Sequence, residues 1–237
     1  MSLNVKDDRG FNQGFMLVPS TEVRMRRRAA YMIAKMDPLK NGTVLEIGCG
    51  RGEVSYWIAE KTNNQVVGSD LCVPFIDEAK KYFELPNLSY EVLDFHKPYQ
   101  MQNRKFDYIV GNGILHHLYH KLDDALLTLK SLLNPGGKII FIEPNIYNPY
   151  CALIFKVSLM RNLANLEPDE MAFSGSFIKQ KLNAVDFINI ETEYKDFLLP
   201  GVPSWTVQPL ISVGNILERI PVIDHFAQSV FITAQKK

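Results

Sequence analysis

A glycine-rich segment follows an apolar run in this chain and has the spacing Glu46-x-Gly48-x-Gly50-x-Gly52. Because glycine lacks a Cβ atom, such a segment can turn tightly and bring backbone close to a ligand. Residues 53–61 then show a helical pattern, and the free N–H groups at the start of a helix favour a carboxylate or a phosphate. The same residues also suit an ordinary strand-to-helix turn, so the glycines alone do not define a site.

Two aspartates strengthen the case for a site. Asp70 lies 22 residues after Gly48, a distance at which an acidic residue can accept hydrogen bonds from both hydroxyls of a ribose. Asp94 ends the next predicted strand, where its carboxylate can accept from an exocyclic amine such as that of adenine. Each aspartate alone is more commonly a strand-end cap. Together with the glycine segment they converge on the edge where open α/β sheets bind ligands, which favours a binding site.

Alternating strand and helix patterns must position these groups. Short apolar runs alternate with helical periodicity, which indicates βαβ units. Strands are predicted at 43–47, 65–70, 88–93, 106–110 and 138–143, helices at 53–61, 74–83 and 122–133, and a turn at Asn134-Pro135-Gly136-Gly137. We therefore expect the α/β class, with a Rossmann-like, doubly wound sheet of seven strands whose last strand is antiparallel.

The chain has 237 residues, a length that favours one domain with insertions over two domains. We expect one domain over 1–237, made of an N-terminal helical cover (1–40), a binding core (43–143), an inserted lid (144–172) and C-terminal strands and helices (173–237). A helix is predicted over 20–36, with Ser20 or Thr21 as its cap. Further helices are predicted at 173–184 and 206–220, and further strands at 187–198 and 227–234.

The composition excludes several classes of protein. Hydrophobic residues make up 46% and charged residues 22%, which permits a sizeable core and excludes a disordered chain. Lys plus Arg and Asp plus Glu are 26 each, so the net charge is zero and no nucleic-acid partner is expected. The three cysteines form no CxxC pair. We therefore expect no metal site and no disulfide, and the cytoplasm as the location.

No membrane span is expected either. The N-terminus is polar and charged, unlike a secretory signal. The most apolar stretch, 149–160, falls short of the roughly 20 apolar residues that a span requires. Peripheral contact with a membrane and the oligomeric state stay open.

These motifs together resemble the class I S-adenosylmethionine-dependent methyltransferases. The resemblance is closest to the small-molecule group, methyltransferase type 11, that includes the ubiquinone- and menaquinone-pathway enzymes. It covers residues 43–143 and is specific for the family but not for a substrate. The matching segments are Glu46-x-Gly48-x-Gly50-x-Gly52, Asp70, Asp94, Phe106-Asp107-Tyr108-Ile109-Val110, Leu115-His116-His117-Leu118 and Leu133-Asn134-Pro135-Gly136-Gly137.

The resemblance implies that the glycine segment holds the methionine part of S-adenosyl-L-methionine. Gly48, Cys49 and Gly50 would lie against that part of the cofactor. Gly52 belongs to the same segment, and Glu46 would orient it through backbone hydrogen bonds or water.

Further cofactor contacts follow from the same resemblance. Asp70 would accept from the ribose hydroxyls, and Asp94 from the adenine amine. The complete set implied for the adenosine and for the methionine ammonium is Asp70, Leu71, Asp94, Phe95, Gly111 and Asn112.

Two adjacent histidines are candidates for chemistry. Methyl transfer depends largely on alignment and on exclusion of water, but an acceptor that must lose a proton benefits from a base. His116 is the tentative catalytic residue, since the similar phosphoethanolamine methyltransferases use a His at this position. Asn112 replaces an Asp of that subgroup, which argues against an amino-alcohol phosphate acceptor. Alternatively His116 only packs, and His117 is interpreted as structural. His96 and His120 are interpreted as surface residues.

Three further features have two interpretations each. The basic cluster Arg24 to Arg28 is either a solvated or ion-paired helix face, which we favour, or an anion site at the mouth of the cofactor site. The apolar segments 147–160 and 198–205 either enclose an apolar acceptor or belong to the core or a dimer contact.

The sequence thus predicts an S-adenosylmethionine-dependent enzyme that methylates a small-molecule acceptor. The transfer would be a direct displacement to oxygen or nitrogen, on an acceptor such as a lipid, a quinone or a glycan-linked intermediate. The alternatives are an RNA or protein methyltransferase, a non-enzymatic cofactor-binding module of the same fold, and a nicotinamide dehydrogenase. Glu53 in place of the third glycine of GxGxxG argues against the dehydrogenase.

Overall fold

The computed structural model describes residues 19–37, 41–95, 103–199 and 201–237. One mixed sheet of seven strands forms its centre, in the order β3-β2-β1-β4-β5-β7-β6. The strands are β1 (Thr43–Ile47), β2 (Gln65–Asp70), β3 (Leu88–Val92), β4 (Phe106–Asn112), β5 (Leu133–Pro144), β6 (Phe187–Lys195) and β7 (Ser229–Lys236). The first five strands pair in parallel, and β7 runs antiparallel to both of its neighbours, β5 and β6. The predicted seven-stranded sheet with an antiparallel last strand is confirmed.

Helices cover both faces of this sheet. They are α1 (Pro19–Ala34), α2 (Glu53–Lys61), α3 (Val73–Tyr82), α4 (Leu122–Leu132), α5 (Pro149–Lys156), α6 (Ser158–Leu163), α7 (Gly175–Ala184) and α8 (Ser204–Leu217), with 3₁₀ helices at Leu115–Lys121 and Asp224–Phe226. None of the helices in the described part of the chain has the length and apolar character needed to cross a membrane.

The central strands divide their side chains between two cores. Leu45 of β1 and Ile109 of β4 belong to the core that contains α4 and α7. Their neighbours Val44 and Val110 belong to the core on the opposite face, which contains α1 and α2. Successive side chains of a strand point to opposite faces, so a continuous apolar run supplies both cores at once.

β1 and β4 are neighbours and pair in parallel. The strand order reverses between them, because β2 and β3 lie on the β1 side of the sheet and β5 lies on the β4 side. A crevice opens at such a reversal, outside the carboxyl ends of the strands, and it is the usual ligand site of open α/β sheets. The glycine segment follows β1 at this point, and Asn112 ends β4 beside it.

Two local predictions are wrong. The residues predicted as a turn, Asn134-Pro135-Gly136-Gly137, lie within β5, which begins at Leu133 rather than at residue 138. Leu133 pairs with Phe106 and Lys138 with Tyr108, so the intervening residues form an irregularity in the ladder, and Gly136 supplies a φ of 74° there. Ser20 and Thr21 do not cap α1, because Pro19 is already helical and Ser20 is buried in the first turn.

Candidate active site

The glycine segment forms one wall of a cleft at the carboxyl ends of β1 and β4. Gly48 and Gly50 line this cleft, together with Asp70 and Asn112. Gly50 has a φ of 53°, and a Cβ atom at this position would meet no other atom within 4 Å. The backbone of the segment therefore borders open space, which a ligand can approach closely.

Glu46 supports this segment from below rather than from the cleft. Its side chain is buried, and the Ser55 hydroxyl donates a hydrogen bond to its carboxylate. Burial raises the pKa of Glu46 to about 8. The Ser69 hydroxyl donates to the Glu46 backbone oxygen over 2.8 Å and so ties β1 to β2. The Glu46 side chain is therefore bonded to the first turn of α2, and its role in orienting the glycine segment stays a prediction.

Cys49 and Gly52 also face away from the cleft. The Cys49 side chain packs in a small apolar cluster with Ile76 and Tyr90, and burial raises the pKa of its thiol. Its N–H donates to the Ser69 oxygen over 2.9 Å. Gly52 lies against the Tyr90 ring, whose hydroxyl donates to the Gly52 oxygen over 3.2 Å. Cys49 and Gly52 are therefore not among the residues that line the cleft, and their cofactor contacts stay predictions.

Asp70, the last residue of β2, is bonded to the glycine segment. Its Oδ2 accepts from the Gly50 N–H and its Oδ1 from the Cys72 N–H, each over 2.9 Å. Leu71, Asp94 and Phe95 lie beside Asp70 in the lining of the same cleft. These bonds fix the Asp70 carboxylate beside the cleft.

The end of β4 supplies the opposite wall. Asn112 lines the cleft, whereas Gly111 lies behind it against Phe141, where a Cβ atom would be 2.5 Å from the ring. The Asn112 side-chain oxygen accepts from Arg28 Nη1 over 2.7 Å. Helix α1 therefore holds the Asn112 side chain in place.

The basic cluster of α1 is paired, in agreement with the interpretation favoured from the sequence. Arg24 and Arg28 are buried and contact Asp196 Oδ2 at 3.4 and 2.8 Å. Burial lowers the pKa of Arg24 to about 10. Burial alone would raise the pKa of Asp196, but the two guanidinium groups hold it below its usual range. Arg27 is half-buried by contrast and donates to Asn215 at the surface.

His116 lies at the start of the 3₁₀ helix and contacts a buried carboxylate. Its Nδ1 is 2.9 Å from Glu143 Oε2, at the end of β5. Glu143 Oε1 accepts from the N–H groups of Ile114 and Leu115 over 3.0 and 2.8 Å. An ionised carboxylate only accepts, so a neutral imidazole bonded to it through Nδ1 would carry its proton there and present Nε2 as the basic atom.

His117 faces the cleft more directly than His116. It lines the cleft together with Glu167, and its Nδ1 lies 2.8 Å from Glu170 Oε1. Burial lowers the pKa of His117, but Glu167 and Glu170 outweigh this effect and raise it to about 9. The interpretation of His117 as merely structural therefore needs revision, since this side chain borders the ligand space.

The segment predicted as a lid is held against the cleft by its own network. Arg161 donates to the backbone oxygens of Phe155, Glu167 and Glu170 over 2.9–3.0 Å. The Met171 N–H donates to the His116 oxygen over 3.1 Å. These bonds bring Glu167 and Glu170 to His117. His120 is exposed as expected, and His96 lies outside the described residues.

Sequence reasoning missed three acidic residues of this region. Glu143 follows the apolar run of β5 just as Asp70 and Asp94 follow theirs, and this shared position was the available signal. Glu167 and Glu170 lie in an irregular segment, where no strand or helix pattern predicts the direction of a side chain.

The fold and the cleft together define a nucleoside-cofactor-binding α/β protein. Residues 44–137 match a family model described as a methyltransferase domain. This part of the chain is therefore a methyltransferase domain, and the seven-stranded fold agrees with the resemblance to the class I S-adenosylmethionine-dependent methyltransferases. The matched model is a general one, so membership of the quinone-pathway group stays a prediction.

Relatives and solved structures agree with this family. Aklanonic acid methyltransferase DauC of Streptomyces sp. (strain C5) is 34% identical over 113 residues, which are 46% of this chain and 50% of DauC. Probable polyketide synthase 34 of Dictyostelium discoideum is 31% identical over 134 residues, 47% of this chain and 4% of the synthase. The chain thus spans half or less of the length of these relatives. A SAM-dependent methyltransferase from Archaeoglobus fulgidus has the same fold, with a TM-score of 0.62 at 18% identity, covering 91% of this chain and 93% of that one.

Proposed function

We propose that this chain transfers a methyl group from S-adenosylmethionine to a small-molecule acceptor, with His116 as the proton acceptor. The observation that carries the proposal is the contact of 2.9 Å between His116 Nδ1 and Glu143 Oε2. It leaves Nε2 as the basic atom of a histidine that adjoins the cleft: a Cβ atom at Gly113, which lines the cleft, would lie 3.6 Å from His116 Cε1.

The residues of the cleft fit the cofactor of the family. Gly50 borders open space, and Asp70 and Asp94 present carboxylates beside it. This donor set suits the hydroxyls of a ribose and the amine of an adenine, which must donate. Leu71 and Phe95 add apolar surface for the adenine ring. When bound, S-adenosylmethionine supplies an electrophilic methyl group on a sulfonium.

The protein then has to align the acceptor and receive its proton. The acceptor lone pair would form the new bond to the methyl group that the bound cofactor would supply, and sulfur would keep the electrons of the carbon–sulfur bond. The proton of the acceptor passes to His116 Nε2, and Glu143 stabilises the resulting imidazolium. Positioned bases of this kind contribute about 10²–10⁴-fold to a rate. The buried ring of Phe155, which packs edge-on at 5.7 Å against His116, helps to exclude water.

The identity of the acceptor is proposed from the relatives. The DauC name gives aklanonic acid as a substrate, and the synthases that match are polyketide synthases. An apolar acceptor of polyketide character, with an ionisable oxygen, is therefore the first class to test. The panel of acceptors to be tested also includes lipid, quinone and glycan-linked molecules.

Transfer of a labelled methyl group tests the proposal. Native protein should label one member of the panel, and His116→Asn should lower kcat by about 10²-fold or more while S-adenosylmethionine affinity stays within twofold. His120→Asn is the matched control, because His120 is exposed on the same 3₁₀ helix. Labelling of RNA or protein alone would replace the small-molecule acceptor, and full activity of His116→Asn would remove His116 from the mechanism.

A further inference from the structure

His116, His117 and Glu170 form a compact cluster where the 3₁₀ helix meets the segment after α6. One nitrogen of each histidine and one oxygen of Glu170 lie within 4.8 Å of one another. The two imidazole rings are 4.2 Å apart. We infer that these three side chains form a binding site for a transition-metal cation, with Zn²⁺ as the best match.

The surroundings of the cluster prepare it for a cation. Metal-binding histidines usually donate their second ring N–H to a carboxylate or carbonyl, which fixes the tautomer. Glu143 holds His116 Nδ1 in this way, at 2.9 Å, and leaves Nε2 for a metal. The same carboxylate accepts from the backbone N–H groups of Ile114 and Leu115, so it is itself held rigidly.

Glu170 supplies the negative charge. Its side chain is only 1% exposed. Its Oε1 lies 2.8 Å from His117 Nδ1. A buried carboxylate requires a positive partner, which His117 provides in the structure and which a bound cation would provide in its place.

The ligand set selects the metal. Two imidazoles and one carboxylate are typical of Zn²⁺, which leaves its fourth position open, whereas Mg²⁺ and Ca²⁺ prefer oxygen ligands alone. Metal–ligand bonds of about 2.1 Å place tetrahedral ligand atoms about 3.4 Å apart. In the structure the three ligand atoms lie within 4.8 Å of one another. His117 lines the cleft, so the cluster borders the ligand space.

Metal binding has a consequence that rests on the proposed function. A cation on His116 Nε2 occupies the atom that would receive the acceptor proton. Zn²⁺ should therefore inhibit methyl transfer, and a chelator should restore it.

Titration of Co²⁺ into the metal-free full chain, without cofactor, tests the site itself. Native protein should bind one equivalent and develop the d–d absorption of tetrahedral Co²⁺, which Zn²⁺ then displaces. Glu170→Gln and His117→Asn should each weaken binding at least tenfold, and Glu143→Gln by about 10–100-fold through the outer contact. His225→Asn is the control, because that exposed histidine pairs with a single carboxylate, Asp224.

Circular dichroism establishes that each variant is folded before its titration is interpreted. Unchanged binding in both Glu170→Gln and His117→Asn, or no stoichiometric binding by native protein, would overturn the inference and leave a plain His117–Glu170 ion pair. If Zn²⁺ binds as described but turnover is unaffected, the metal site stands and the role of His116 as proton acceptor fails.

Discussion

Glu143 Oε2 lies 2.9 Å from His116 Nδ1, while its Oε1 accepts from the backbone N–H groups of Ile114 and Leu115. One buried carboxylate thus closes the start of the 3₁₀ helix and orients the imidazole beside the cleft. The Glu143 side chain therefore has a structural role at the start of the 3₁₀ helix and a proposed role in catalysis. Two substitutions of Glu143 distinguish these roles.

Glu143→Gln should lower turnover more than stability. The amide oxygen can still accept from the backbone, but it provides no negative charge for an imidazolium. We expect kcat to fall by about 10²-fold, with a loss of at most about 1 kcal/mol in the free energy of unfolding. Glu143→Ala instead leaves buried N–H groups unpaired, and it should cost several times as much stability. Urea unfolding and single-turnover kinetics distinguish the two variants, and equal losses of stability would contradict the assignment.

Glu46 should make stability depend on pH. Burial raises its pKa to about 8 from 4.5. Between these values the folded protein holds a proton that the unfolded chain has released, so the free energy of unfolding falls as the pH rises through this window. The slope from one such group is at most about 1.4 kcal/mol per pH unit.

Glu46→Gln isolates this effect from other titrating groups. The variant should resemble native protein near pH 5 and become relatively more stable toward pH 8, because its amide does not ionise. Urea unfolding of both proteins across this range gives the difference at each pH. A difference that does not change with pH would exclude a proton on Glu46 in the folded state.

Asp196 should be far more important for stability than a surface acid. Asp196→Asn removes the negative charge that the buried Arg24 and Arg28 guanidinium groups contact. We expect this change to lower the free energy of unfolding by about 3–5 kcal/mol. Glu191→Gln is the matched control, since Glu191 is 60% exposed and pairs with Lys35. That change should cost less than about 0.5 kcal/mol. Thermal unfolding compares the two, and similar losses would show that the buried cluster is not held by Asp196.

Gly52 should tolerate no side chain. Its φ is 88°, and a Cβ atom would lie 2.6 Å from the Tyr90 hydroxyl oxygen. Gly201 has a similar φ of 75° but open space around it. Gly201→Ala therefore measures only the loss of stability caused by a side chain at positive φ, about 1–2 kcal/mol. Gly52→Ala should exceed this cost by the clash with Tyr90. The same loss of stability in both variants would mean that Tyr90 moves aside freely.

The sequence was sufficient to predict the elements with strong local signals. β1 and α2 have the predicted bounds, Thr43–Ile47 and Glu53–Lys61, because an apolar run, a glycine segment and a helical period follow one another there. The start of β5 was mispredicted, since proline and two glycines indicate a turn whether or not a neighbouring strand pairs with them.

The sequence could not predict which residues far apart in the chain come into contact. Arg28 and Asp196 are 168 positions apart, and nothing local indicates that they meet. The same is true of His117 and Glu170, whose contact depends on how Arg161 folds the segment between them. The sequence therefore predicted the parts of the cleft that lie at strand ends. It did not predict the part formed by the irregular segment that carries Glu167 and Glu170.

Titration with S-adenosylmethionine, S-adenosylhomocysteine and NAD, followed by thermal unfolding, tests the central claim most directly. Native protein should gain stability with both adenosyl compounds, about 2.7 kcal/mol at a ligand concentration 100 times the Kd, and none with NAD. Asp70→Ala should bind them about 1–3 kcal/mol more weakly, because the ribose hydroxyls lose their acceptor. No stabilisation of native protein by either adenosyl compound, or an equal response to NAD, would contradict the claim that this cleft holds S-adenosylmethionine.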